Sequence, residues 1–139
     1  MIALDLDLGA ARTAQAILKD VDATKQAAKA AEDLITKTLG VIQENGPYAA
    51  IVFLCSNANG EETPTSKVAS SVRYNLLDLA KTLGAEGLTK SGDFRKILDS
   101  VIRNVCSDLQ LLLLVKQTWE QALIYARHSA KSLKAQVGA

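Results

Sequence analysis

With 139 residues, 48% of them hydrophobic and only 4% aromatic, the chain suits one domain, residues 1–139, whose core is built from Leu, Ile, Val and Ala. Such small aliphatic side chains, with only two prolines, favour closely packed helices and predict an all-α fold. A formal net charge of +1 excludes a protein that coats nucleic acid through overall charge, but the charge is uneven: residues 91–139 carry seven basic and four acidic side chains, against five and seven in residues 1–44.

The N-terminus has no basic stretch followed by an unbroken apolar run, so no secretory signal is expected. The most apolar stretch, Leu111 to Val115, is bounded by Asp108 and Lys116, far short of the roughly 20 apolar residues that span a membrane. A cytoplasmic protein is expected. Cys55 and Cys106 form no CxxC pair and read as reduced, buried and inert.

The first helix is predicted to start near Asp5 or Asp7, whose carboxylates can cap free N–H groups, and to run to about Lys19. Asp20-Val21-Asp22 restarts the chain, and a second helix over 23–43 places Ala27, Ala31, Leu34, Ile35, Thr38 and Ile42 on one face. Whether these two helices are continuous is left open by the pattern. Asn45-Gly46-Pro47 is the clearest punctuation: glycine suits the end of one helix and proline the first turn of the next. The third helix, 48–56, is almost wholly apolar and is expected to be surrounded by the others; periodicity alone also allows a buried strand. After a polar loop at 57–63, Thr63-Pro64 opens a fourth helix over 64–83, and Gly84 begins a second loop that lasts to Gly92. Asp93 opens a fifth helix with Phe94, Ile97, Leu98, Val101, Ile102 and Val105 on its apolar face. Ser107 is a candidate cap for a long last helix to about residue 135, with Leu112, Val115, Trp119, Ala122, Ala126, Ser129 and Leu133 on its inner side. The sum is a compact bundle of five or six helices ending in a long C-terminal one.

Few constellations carry chemistry. Asp20-Val21-Asp22-Ala23-Thr24 matches the DxDxT string of aspartate-nucleophile phosphatases, but its flanks are helical rather than a buried strand, and two capping aspartates explain it better. Asp5 and Asp7, or Glu61 and Glu62, are carboxylate neighbours without a second cluster to complete a metal shell. His128, the single histidine, excludes a site that needs two imidazoles from one chain and reads as a surface residue beside Arg127. No glycine-rich phosphate loop occurs. No enzyme active site, metal or cofactor is expected, with a metal-dependent hydrolase built on Asp5, Asp7, Asp20 and Asp22 as the enzymatic alternative.

The basic residues of the last helix form the remaining pattern. Arg127, Lys131 and Lys134 follow at spacings of four and three, so one face presents three cations with little acid between them, as a phosphate backbone requires. Lys116 lies on the same side, and Lys67, Arg73 and Lys81 of the fourth helix extend such a surface. The same cations also suit a helix C-terminus and solubility.

Two blocks carry a family likeness. The segment Val41-Ile42-Gln43-Glu44-Asn45-Gly46-Pro47-Tyr48-Ala49-Ala50-Ile51-Val52-Phe53-Leu54 resembles the I-Q-x-N-G-L-x-x-A-L-A-F-L core of the small helical subunit of type III-B (Cmr) CRISPR effector complexes. Thr118-Trp119-Glu120-Gln121-Ala122-Leu123-Ile124-Tyr125-Ala126-Arg127-His128-Ser129-Ala130-Lys131 is similar to that subunit's L-x-x-E-A-L-x-Y-x-x-x-x-K ending. Pro47 and Tyr48 depart from the usual leucine and small residue, and outside the two blocks the agreement is in length and helicity alone.

The resemblance implies a non-catalytic subunit that stacks along the crRNA–target RNA duplex in antiviral defence. Its partners would be crRNA and target RNA, other effector subunits and further copies of itself, with no small-molecule substrate. Transferred to this chain, the contacts to the RNA backbone fall on Arg127, Lys131 and Lys134, then Lys116 and Arg73. The competing reading is a helical adaptor that buries an apolar helix face against a protein and never touches RNA.

Overall fold

The computed structural model describes residues 2–60 and 62–137, and the side chains among them from Leu6 onward; every regular element there is helical. In chain order these are α1 (Ile2–Lys19), α2 (Lys25–Asn57), α3 (Pro64–Thr82), α4 (Phe94–Val101) and α5 (Leu109–Val137). A single π-helical turn, Ile102–Cys106, continues α4. The result is an all-α bundle of five helices with a long C-terminal one.

Local chemistry sets most of the boundaries. The Thr24 and Thr63 hydroxyls accept from the backbone N–H groups of Ala27 and Ser66, both at 3.1 Å, and so cap α2 and α3. Pro64 follows in the first turn of α3, where its missing N–H is no loss. Asp93 caps α4 through the Arg95 N–H at 3.2 Å. At Gly46, with φ 89° and ψ −178°, the path of α2 breaks, and Pro47 starts its second half. The helix end and restart expected at Asn45-Gly46-Pro47 are therefore a kink within α2, and residues 48–56 are helix rather than strand.

The buried side chains form one cluster to which every helix contributes. Alpha-2 is its central element, packed on α5 and α3, while α1 lies against α5 and α3. Trp119 is fully buried, as are Ile17, Ile35, Ile42, Ile51, Leu54, Leu76, Leu77, Ile97 and Leu123. Each such aliphatic side chain stabilises the fold by about 1.5–3 kcal/mol on burial. Close approach matters too: a Cβ built on Gly9 would stand 3.3 Å from Leu79 Cδ1, so glycine lets α1 settle against α3.

Several expectations are corrected. Asp7 caps nothing, because α1 begins at Ile2; its carboxylate instead accepts from the Tyr125 hydroxyl of α5. Asp5 lies outside the described side chains. Neither Asp20 nor Asp22 caps α2, whose cap is Thr24; Asp20 accepts from Ser71 Oγ at 2.8 Å and ties the end of α1 to α3. Alpha-1 and α2 are separate, with residues 20–24 between them. The cap of α5 is Asp108, through the Leu111 N–H at 3.2 Å, whereas Ser107 donates to the Arg103 carbonyl. The apolar 48–56 segment is not enclosed: Tyr48 and Val52 are exposed. Phe94 and Ile102 also face outward, and on α5 Ala130 occupies the buried position expected for Ser129. Cys55 and Cys106 are free, as expected, but half-buried rather than buried, and burial pushes the Cys106 thiol above its ordinary range. No described helix is long and apolar enough to cross a membrane.

Candidate nucleic-acid interface

The cations of α5 occupy one side of the helix. At 3.6 residues per turn, Lys116, Arg127, Lys131 and Lys134 fall within about 60° of one another and span roughly 27 Å along the axis. The C-terminal three, Arg127, Lys131 and Lys134, border α2. Lys134 Nζ reaches Glu32 Oε1 of α2 at 2.5 Å, and Lys131 Nζ stands 4.0 Å from Glu32 Oε2. Glu32 is largely covered, with 13% of its side chain exposed, so this carboxylate sits beneath the two ammonium groups. Arg127 and Lys131 line a groove of about 440 Å³ with Glu32, Asp33, Thr36 and Lys37. Arg127 Nε is enclosed and has no hydrogen-bond partner among the described residues.

Lys116 is engaged within its own helix, where Nζ meets Glu120 Oε1 at 2.6 Å in an i,i+4 pair. With about one-third of the lysine side chain exposed, that pair contributes roughly 0.3–0.5 kcal/mol. His128 is exposed beside the row.

Arg73 belongs to a different neighbourhood. Its Nη1 donates to Cys55 Sγ at 3.7 Å, near the C-terminal end of α2, whereas Lys131 and Lys134 meet Glu32 near the N-terminal end. Arg73 and Lys67 line a groove of about 650 Å³ with Lys90 and Tyr74, while Lys81 is not among its lining residues. Lys90 is engaged by Asp78 at 2.9 Å and stands 4.9 Å from the Tyr74 ring centroid; the Asp78 hydrogen bond, then the Tyr74 one, raises its pKa. Arg73 Nε, like Arg127 Nε, is enclosed without a partner among the described residues. A buried donor left unsatisfied costs about 1–3 kcal/mol, more when charged.

The five residues expected to meet RNA thus divide: Arg127, Lys131 and Lys134 stand together, Lys116 continues their row toward the start of α5, and Arg73 faces a separate groove. Glu32 and Asp33 bring to these cations acid that the sequence of α5 alone does not show. Glu32 flanks the buried Ala31 and Ile35 at the edge of the inner face of α2, so its border position was legible. Which helix it borders depends on tertiary packing.

Of the carboxylates of the enzymatic alternative, Asp7 and Asp20 do not converge. Asp7 and Asp20 lie 13 positions apart along α1, about 20 Å at helical rise, and each is held by a different neighbour, Tyr125 and Ser71. The Asp7 hydrogen bond, more than burial, raises the Tyr125 pKa. Among the described residues no three His, Cys, Asp or Glu side chains gather as a metal site requires.

No family model, curated protein or solved structure matches the chain.

Proposed function

We propose that the chain is a non-catalytic small subunit of a cytoplasmic type III-B RNA-guided effector complex, holding the crRNA–target RNA duplex by its backbone. The observation that carries this reading is the α5 row in which Arg127, Lys131 and Lys134 border α2, with Lys37 on the opposite wall and Lys116 continuing the row toward the start of the helix. Cations in a row neutralise successive phosphates without reading bases, which suits a subunit whose complex takes its sequence from a guide. The two sequence blocks that resemble the family give further support: one spans the α2 kink and the other is the middle of α5, the helix most extensively packed on α2. A near-neutral subunit fits, because neighbouring subunits would supply much of the field and the free chain would bind RNA weakly.

The test is target-RNA capture by the assembled complex carrying Arg127→Gln, Lys131→Gln and Lys134→Gln together. Glutamine removes charge without setting a new carboxylate against Glu32, as glutamate would. Capture is expected to weaken by about tenfold or more, with a shallower dependence on salt. Unchanged capture at unchanged thermal stability would remove these residues from the role.

The adaptor reading has its own observation: Val52, Phe94, Ile102, Leu109 and Leu113 are apolar and exposed, as a protein-binding face requires. It differs in predicting partners whose association is indifferent to RNA.

A further inference from the structure

The groove beside α3 carries cations that the α5 row does not explain. It is bounded by Lys67, Ser70, Arg73 and Tyr74 of α3, Asp20 at the end of α1 and Lys90 from the loop before α4. Its volume, about 650 Å³, lies within the range of small-ligand sites. The guanidinium of Arg73 is poorly satisfied there. Of its five N–H donors, Nη1 meets among the described residues only the Cys55 sulfur, a weak acceptor at 3.7 Å in the adjoining groove that Arg73 also lines, and the enclosed Nε meets none. Lys67 is exposed and forms no ion pair among the described residues. Asp20 makes no ion pair with Arg73 but keeps its charge while accepting from Ser71 Oγ, and the exposed Glu62 stands on the same wall, so Lys67 and Arg73 face two carboxylates across the groove.

We infer that this groove is a phosphate-binding site, in which Arg73 and Lys67 take the phosphate oxygens and Ser70 adds a hydroxyl donor. A guanidinium fork matches two oxygens of a phosphate, and the ammonium and hydroxyl approach from other directions to serve the remaining ones. A carboxylate, with two oxygens, would leave part of this donor set unused. The groove is also larger than a phosphate alone, and its wall beyond the cations includes the half-exposed Tyr74 ring, which carries Lys90 over one face. The phosphate has two possible sources, a small phosphorylated molecule or the backbone of single-stranded RNA. The site stands on residues separate from the α5 row, so it does not rest on the assembly reading.

The experiment follows the Arg73 Nε–H resonance and the backbone amides of the whole chain by ¹⁵N NMR during titration with inorganic phosphate, a nucleoside monophosphate and a short oligouridylate. Saturable shifts centred on Arg73, Lys67 and Ser70 are expected. They should weaken at least tenfold in Arg73→Gln and less in Arg73→Lys, which keeps the charge but loses the fork. The Lys131→Gln, Lys134→Gln protein should retain them. Saturation by the monophosphate would assign a small molecule, and saturation by the oligouridylate alone would assign RNA; both support the site. No saturable shift with any probe at millimolar concentration would overturn it. Shifts that survive Arg73→Gln and vanish in the α5 variant would overturn it as well, since the α5 row would then account for the binding. A folded spectrum of Arg73→Lys keeps the result interpretable if Arg73→Gln unfolds.

Discussion

Gly46 holds φ 89° and ψ −178°, a region open to glycine and strained for every L side chain. A Cβ there would meet nothing within 4 Å, so replacement acts through backbone strain rather than a clash. Gly46→Ala is therefore expected to destabilise the fold by about 1–3 kcal/mol, read as a lower urea midpoint at unchanged slope. An unchanged midpoint would mean that the two halves of α2 can bend without a positive φ. This feature was legible because Asn-Gly-Pro chemistry is local. The role of Asp7 was not, since its partner Tyr125 is 118 positions away and no short-range signal links them. The same holds for Arg73: its sequence context marks a helix-surface cation, whereas its enclosed Nε depends on the packing around it.

Pairing between elements explains why a basic stripe read from α5 alone was incomplete. Periodicity correctly placed Val115, Trp119, Ala122 and Ala126 inside and the cations on another side, but it carried no information on the helix that borders them. Alpha-2 brings Glu32, and its carboxylate holds Lys134 and approaches Lys131. Glu32 thus competes with any phosphate for two cations of the row. Glu32→Gln is expected to raise the affinity of the assembled complex for target RNA by a few-fold, while costing no more than about 1 kcal/mol of stability through the lost ion pairs. Filter binding at several salt concentrations, with thermal unfolding alongside, measures both; weaker binding at unchanged stability would show that Glu32 positions the lysines for RNA instead of masking them. Element-level reading failed differently in α4. Ile97, Val101 and Val105, four apart, are buried as the repeat requires, whereas Ile102 lies about 100° round the helix from Val101 and is exposed. The apolar 48–56 run failed for another reason: composition measures how greasy a helix is, and α2 lacks a neighbour over Tyr48 and Val52.

At the scale of the molecule, the all-α class and the long last helix follow from composition, caps and periodicity, which agree along most of the chain. The proposed assembly rests, in the sequence, on two resembling blocks, and much of their pattern is core: Ile42, Ala50, Ile51 and Leu54 in the first, Trp119, Ala122, Leu123 and Ala126 in the second. Core residues record how helices pack and carry no trace of a partner. The exposed apolar side chains and the row of cations are the parts of the surface suited to neighbours, the first to protein and the second to RNA. A subunit in a ribonucleoprotein would use both at once, whereas an adaptor would use the first alone.

The most direct test of the proposed role is affinity purification of the tagged protein from its native cell in mild salt, followed by sequencing of the bound RNA and mass spectrometry of the bound proteins. The proposal predicts short guide RNAs together with larger effector subunits, released from the Arg127→Gln, Lys131→Gln, Lys134→Gln complex at lower salt as far as target RNA is concerned. Recovery of stable protein partners without RNA would contradict it and establish the adaptor instead.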